Sequence, residues 1–294
     1  MTRAFVDVLA AQEMVALTTQ TTQLVEQVLQ GVGARVVAGV ASPIEETRAD
    51  VALATARVDS NRASRLLDAS RARLAAYWGA TEARFQSATG DLSLVPELPL
   101  ATELRTRVAE NPDLARWAVE ISQRQAALAV ARSNRVPDMT MTVGYRRFSD
   151  IDATALVIGA SIALPVFDRS RGSIEEARSQ LAKAYEERRA AEVRVSATLA
   201  EGYRALSSAH AEATALRTAV LPRSRQTFEA VSEGYRAGKF EYLDILDAQR
   251  TLIGAGGQYL RALTDYHKAV ADVERLIGAP LNESAKLPAS TGKE

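Results

Sequence analysis

"DMTMTVGYRRF", residues 138–148, alternates Met139, Met141, Val143 and Tyr145 with Thr140, Thr142, Gly144 and Arg146. A period of two gives a strand with one apolar and one polar face. After the polar turn "SDID", residues 149–152, the run "TALVIGASIAL", residues 154–164, sets Leu156, Ile158, Ala160, Ile162 and Leu164 against Ala155, Val157, Gly159, Ser161 and Ala163. The pair reads as a β-hairpin whose strands, about 11 residues each, have the length that crosses an outer membrane when tilted. A hairpin resting on a water-soluble helical domain fits the same alternation. Two strands alone are marginal in water, and the rest of the chain offers no partner strand, so the context favours closure into a barrel with strands of other copies. The next residues, "LPVFDRSRG", end the strand at Pro165 and offer Asp168 or Ser170 as the cap of a helix.

On either side of the hairpin the period changes to that of helices, and a duplication becomes visible. The segment starting at Ala38, "AGVASPIEETRADVALATARVDSNRASRLLDASRARLAAYWGA", matches without a gap the segment starting at Ala237, "AGKFEYLDILDAQRTLIGAGGQYLRALTDYHKAVADVERLIGA". Gly39 and Gly238 open the copies and Gly79 and Gly278 close them, each pair 199 residues apart. Heptad spacing runs Ile245, Ala248, Leu252, Ala255, Tyr259, Ala262, Tyr266, Ala269, Val273, Leu276 in the second copy. In the first it runs Ala49, Leu53, Ala56, Ser60, Ala63, Leu67, Ser70, Leu74, Tyr77. Small residues alternate with larger ones, so neighbouring helices can approach closely. An incoming helix precedes each opening glycine, with Met14, Leu17, Thr21, Leu24 and Val28 in one copy and Ile174, Ala177, Leu181, Ala184, Ala191 and Val195 in the other. Each repeat is therefore a helical hairpin, and the second incoming helix is expected to bend at Pro222.

Composition bounds the function. The 294 residues carry net charge +0, 47% hydrophobic and 5% aromatic residues and no cysteine, which argues against a nucleic-acid partner and rules out disulfides and thiolate metal sites. The N-terminus has Asp7 and Glu13 inside its apolar pattern and so is not read as a signal peptide, and no apolar run reaches the roughly 18 residues of a membrane helix. Those two absences alone would suggest a soluble cytoplasmic protein, which the strand pattern disputes. Enzymatic chemistry is not expected: His210 and His267 lie within helices and read as solvated, and no nucleophile has a matching base. Gly31 and Gly33 do not make a dinucleotide fingerprint, because Val36 stands at the third glycine position. Met139 and Met141 share a face with Val143 and Tyr145, which favours lipid contact over metal ligation. No cofactor and no metal site is expected. Asp244 and Asp247, three apart, project from nearly the same helix face, a spacing that solvated helix-start acids also satisfy.

The element order, with "YRAGKFEYLDILDAQRTL", "SNRVPDMTMTVGYR" and "ALPVFDRSRGSIEEA", resembles the TolC-like outer-membrane efflux factors, and the last two stretches look most like the heavy-metal efflux branch. The resemblance implies a mainly α fold, in which long antiparallel coiled-coil helices form a tunnel and one β-hairpin joins a trimeric transmembrane β-barrel. It implies the following division: 1–79, first helical hairpin; 80–112, equatorial linker; 113–136, helix leading to the barrel; 137–167, transmembrane-type hairpin; 168–279, second helical hairpin; 280–294, disordered tail. The implied function is a passive outer-membrane conduit of a tripartite efflux pump for metal cations or small toxic compounds, extending into the periplasm. Its implied partners are two further copies, outer-membrane lipid, a periplasmic adaptor and an inner-membrane pump. The alternative is a soluble helical scaffold or adaptor-like protein, although adaptors add small β domains for which this chain has no sequence. A full family member would place a signal peptide, a helix and a first strand hairpin before Met1, so an N-terminally truncated chain is expected.

Residue by residue, the resemblance puts Asp244 and Asp247 at the pore constriction, with Tyr235 in the network that holds it shut. Phe240 stands where TolC has an arginine in that network, which makes packing of Tyr235, Phe240 and Tyr242 the expected closure. The turns at Gly39, Val40, Gly238 and Lys239 would be the adaptor-docking tips. Met139, Met141, Val143, Tyr145, Leu156, Ile158 and Ile162 would face lipid.

Overall fold

A computed structural model describes residues 1–108, 111–136, 138–150, 152–162 and 171–281. It divides into two compact units, one joining Met1–Arg105 to the chain from Thr198 onward, the other Thr106–Ala197. Asp168, Ser170, Ala163, Leu164, Pro165 and the tail beyond residue 281 lie outside the described residues.

In the first unit, α1 (Thr2–Val37) and α2 (Pro43–Ala76) form one hairpin. The end of α5 (Arg171–Ala215), a π-helical turn (Leu216–Val220) and α6 (Leu221–Arg236) lead to α7 (Tyr242–Ile277) in the other. α1 packs along both α2 and α7, and α6 packs on α7. The anticipated seam is what is buried: Ala49, Leu53, Ala56, Ala63, Leu67 and Leu74 on α2, and Ile245, Ala248, Ala255, Ala262, Tyr266, Ala269, Val273 and Leu276 on α7. Tyr77 departs from it, because α2 ends at Ala76 and leaves that ring exposed.

The two hairpin turns are backbone copies. Ala38 N donates to Ala34 O, Gly39 N to Val36 O and Val40 N to Arg35 O; 199 residues on, Ala237, Gly238 and Lys239 donate to Glu233, Tyr235 and Gly234 in the same pattern. Gly39 (φ 72°) and Gly238 (φ 73°) take the left-handed conformation that such a helix end requires. Helix starts are fixed locally. Ser42 Oγ accepts from Ile44 N ahead of Pro43 at the start of α2, and Glu241 and Asp244 form a reciprocal capping box on α7.

The disturbance expected at Pro222 begins earlier, as the π-helical turn at 216–220. Proline has no N–H to give the preceding turn and its ring crowds the carbonyl four residues back, and a wider turn ahead of it relieves both. Opposite, Leu216 and Ala213 pack against Leu260 and Leu263 of α7.

The segment between the repeats is fastened across the helices by side chains. Gln12 of α1 donates through Nε2 to Ala88 O at 3.0 Å and accepts from Ala88 N at 2.7 Å. Arg71 of α2 donates to Gln86 O, Tyr203 of α5 to Pro99 O at 3.0 Å, and His267 of α7 through Nε2 to Leu92 O at 2.9 Å. The solvated reading of the histidines is thus corrected: both are partly buried, with His210 and His267 flanking Tyr266 at 5.9 and 5.1 Å between ring centres. The covering segment has no helical period, and that is why its position was not foreseen.

In the second unit, α3 (Ala101–Arg107) ends near its start, and α4 (Pro112–Ser133) is capped by the buried Asn111, whose Oδ1 accepts from Asp113 N and Leu114 N. Arg124 of α4 pairs with Glu120 and donates to Gln180 of α5. β1 (Met139–Phe148) and β2 (Ala153–Ile162) pair antiparallel, with Met139 opposite Ile162, Met141 opposite Ala160, Val143 opposite Ile158 and Tyr145 opposite Leu156. An Arg147–Asp152 ion pair of 2.6 Å spans the turn.

Two predictions follow from this packing. A methyl group at exposed Gly254, in mid-helix, meets nothing within 4 Å, so Gly254→Ala is expected to raise stability in denaturant titrations by about 0.5–1 kcal/mol. At Gly234 the same methyl would overlap the Phe240 ring, so Gly234→Ala should give no such gain. Burial holds the His267 imidazole below its usual value, against the hydrogen bond to Leu92. Folding therefore favours the neutral ring, and its contribution is present above the unfolded value of about 6.5 and lost as pH falls below it. The fall in melting temperature between pH 7.5 and pH 5.5 should be smaller for His267→Gln than for the unsubstituted chain.

Candidate functional site

The two hairpin turns of the first unit lie side by side, and side chains join them. Arg35, in the last turn of α1, donates through Nη1 to Tyr235 O at 2.8 Å and to Arg236 O at 3.2 Å, the last two carbonyls of α6. Its guanidinium carbon stands 4.4 Å from the centre of the Tyr235 ring. The Tyr235 hydroxyl donates to Glu45 Oε2 at 2.9 Å, from the first turn of α2. Tyr242 leans on Tyr235 with ring centres 6.2 Å apart, and Val32, Ala49, Phe228, Ile245 and Ala248 close the cluster beneath them. Burial first, and then the Glu45 carboxylate that accepts its hydrogen bond, push the Tyr235 hydroxyl up to about 12. Burial and the charge of Glu45 push Tyr242 up to about 12 as well.

The sequence-derived site residues separate into four places. Tyr235 is buried in this cluster. Phe240 is half-exposed and lays its ring on Gly234, and Asp244, Asp247 and Phe240 border a groove of about 310 Å³ between α6 and α7, together with Arg223, Thr227 and Thr251. Asp244 Oδ2 accepts from Glu241 N at 2.9 Å; Asp247, one turn on, is exposed. Gly39, Val40, Gly238 and Lys239 are exposed at the turns themselves. In the second unit, the strand register gathers Met139, Met141, Val143, Tyr145, Leu156, Ile158 and Ile162 on one face, each between 52% and 82% exposed. Among the described residues there is no cluster of three or more His, Cys, Asp or Glu that could hold a metal ion, and no helix is long and apolar enough to cross a membrane.

Sequence reasoning missed Arg35 and Glu45. A signal for Glu45 was present: in the duplication it stands where Asp244 stands in the second copy. Arg35 had none, because its counterpart is Gly234.

A family model described as outer membrane efflux protein matches residues 105–279. The chain belongs to this family. It is 36% identical over 275 residues to the cobalt-zinc-cadmium resistance protein CzcC of Cupriavidus metallidurans, covering 94% of this chain and 66% of that protein. It is 28% identical over 170 residues to the nickel-cobalt-cadmium resistance protein NccC of Alcaligenes xylosoxydans xylosoxydans, covering 58% of this chain and 38% of the relative. The open state of the Neisseria gonorrhoeae MtrE outer membrane channel superposes with a TM-score of 0.76 at 21% identity, over 95% of this chain and 65% of that one. That likeness establishes the fold, mainly helical with one antiparallel strand pair. The chain spans about two thirds of the length of the curated relative CzcC.

The tyrosine cluster makes a pH prediction. A hydroxyl raised by folding contributes stability that is complete below its unfolded value of about 10 and is lost as pH rises through about 12. Tyr235→Phe should lower stability at pH 8 by about 0.5–1.5 kcal/mol, through the lost bond to Glu45. It should also flatten the decline between pH 10 and pH 12, as measured by denaturant titration at each pH.

Proposed function

We propose that this chain is part of the outer-membrane conduit of a tripartite efflux pump, a passive channel component that exports metal cations or small toxic compounds and catalyses no reaction. The observation that carries the reading is the hairpin of the second unit, whose seven large apolar side chains share one face and stay exposed. Its opposite face is more polar and smaller, carrying Thr140, Thr142, Gly144 and Arg146 with Ala155, Gly159 and Ser161, although Val157 and Phe148 lie on it too. Water disfavours such a face, and lipid solvates it. The two strands leave their outer edges unpaired among the described residues, and backbone groups facing lipid must be paired, which supports closure with strands of other copies. We read the assembly as a homotrimer, with the apolar face on outer-membrane lipid and the helical units in the periplasm. The exposed turns at Gly39, Val40, Gly238 and Lys239 would meet a periplasmic adaptor that links the conduit to an inner-membrane pump.

The metal-resistance relatives support metal cations as cargo. Selection would then reside in the pump, because the described residues hold no ligand cluster. Asp244 and Asp247 fit a different role. Three copies of each would ring the axis near the tips with carboxylates, an arrangement that attracts cations without binding them tightly.

Substitution on the two strand faces tests the reading. A charge on a lipid face near the midplane costs about 2–4 kcal/mol, so Met141→Arg should abolish detergent-dependent recovery from the outer-membrane fraction while Thr142→Arg is tolerated. Equal behaviour of the two, or full recovery of the unsubstituted protein in the soluble fraction, would contradict the assignment. In bilayer recordings, Asp244→Asn combined with Asp247→Asn should lower cation selectivity and block by multivalent cations.

A further inference from the structure

We propose that Arg147 binds the phosphate of a lipid headgroup, at the turn end of the strand pair where its apolar face gives way to polar groups; the assignment rests on the conduit reading above. The register divides that face into five rungs: Met139 with Ile162, Met141 with Ala160, Val143 with Ile158, Tyr145 with Leu156, and Arg147 with Thr154. The first three are wholly apolar, the fourth adds a phenol, and the fifth adds a cation and a hydroxyl. At the rise of an extended strand, the passage from Val143 to Arg147 takes about 13 Å. A bilayer changes in the same order. Aromatic side chains girdle a barrel where hydrocarbon meets headgroups, and a basic side chain just beyond them lies at the level of the phosphates.

Topology fixes the direction of this gradient. β1 follows α4 and β2 precedes α5, and Met139 pairs with Ile162, so both connections to helices leave from the apolar end. With the helices in the periplasm, the rung of Arg147 stands at the outer surface. Only residues 149–152 lie beyond the strands, a turn too short to fold back over that rung. Arg146, the neighbouring cation, is opposite Ala155 on the other face. The two arginines therefore serve different surroundings, one the lumen and one the lipid.

The Arg147 guanidinium keeps donors for a ligand. Among the described residues it is held by Asp152 alone, whose Oδ1 accepts from Nη2 at 2.6 Å. The two side chains are 71% and 81% exposed, and an ion pair so exposed adds little to stability. A phosphate can take two parallel N–H bonds from the planar fork, which a point charge cannot offer. Asp152 competes for the same head with its own negative charge. Loss of Arg147 and loss of the Asp152 charge should therefore change phosphate binding in opposite directions, whereas a pair that merely braces the turn would suffer alike from either.

The test presents the chain with vesicles of phosphatidylcholine, alone or with a minor fraction of lipid A, a glycolipid that bears phosphate monoesters. Flotation reads membrane insertion, and native mass spectrometry after mild detergent extraction counts the lipid A retained. The unsubstituted chain should float with both vesicles and retain lipid A. Arg147→Gln should float as well and retain about fivefold less; Arg147→Lys, with the charge but not the fork, should fall between. Arg146→Gln should match the unsubstituted chain. Asp152→Asn, in which asparagine accommodates the left-handed φ of 42°, should retain more. Equal retention by Arg147→Gln and the unsubstituted chain would overturn the proposal, and so would equal losses in Arg147→Gln and Asp152→Asn. The melting temperature on phosphatidylcholine vesicles should rise with lipid A and not with inorganic phosphate; equal rises would make this a site for free anions and overturn the assignment to lipid. Flotation without preference for lipid A removes the proposal and keeps the conduit, whereas failure to float with either vesicle removes the conduit reading and the proposal with it.

Discussion

Close approach of helices through small seam residues is the constraint on which the first unit depends. Ala49, Ala56 and Ala63 on α2 and Ala248, Ala255, Ala262 and Ala269 on α7 are all buried, between larger neighbours such as Leu53, Leu67, Tyr266 and Leu276. An alanine layer lets backbones come near and a large layer fills the space beside it, so register along the helices is set by volume. Gly256 shows how tight this becomes: a methyl there would come within 3.2 Å of Leu17 Cδ1. Once α1 is gripped by both α2 and α7, the two turns fall side by side and Arg35 is in reach of α6. Without that spacing the tip contacts would have no fixed geometry to act across.

The same constraint explains the strap between the repeats. Helices packed through alanine bury little area per residue and leave shallow grooves, and the segment around residues 86–99 covers one of them. Leu92 enters the core beside Val6, Leu9 and Leu263, and Gln12, Arg71, Tyr203 and His267 satisfy its backbone. A polar side chain that serves a distant carbonyl looks, in sequence, like any solvated helix residue. Gln12 and His267 illustrate why these hooks could not be read from the sequence. Their role depends on a non-periodic segment more than seventy positions away.

What the sequence did show rests on period. Alternation by two placed Met139, Met141, Val143 and Tyr145 on the face that the register then extends to Leu156, Ile158 and Ile162. The offset of the duplication anticipated turns that agree down to individual hydrogen bonds. Both features repeat a local rule many times, so errors average out. The Arg35–Tyr235–Glu45 contact occurs once, between residues some two hundred positions apart, and no local rule points to it. The π-helical turn lies between these cases: Pro222 announces that a helix must adjust, but which preceding turn widens is decided by packing against α7.

Divergence between the copies also bears on the two tip aspartates, which the sequence presents as a matched pair. Asp244 has a sufficient local reason to be acidic, since its carboxylate completes the capping box of α7 and lies at the positive end of the helix dipole. Its counterpart Glu45 is also an acid in a first helical turn, so an acid at this position belongs to both copies. Asp247 differs: its counterpart is Arg48, a reversal of sign at the same place in the fold. It is exposed beside the groove lined by Thr227 and Thr251. Helix capping needs one carboxylate here, not two. Asp247 is therefore the aspartate whose presence the local structure leaves unexplained, and it is the one from which a cation-attracting tip draws its stronger support.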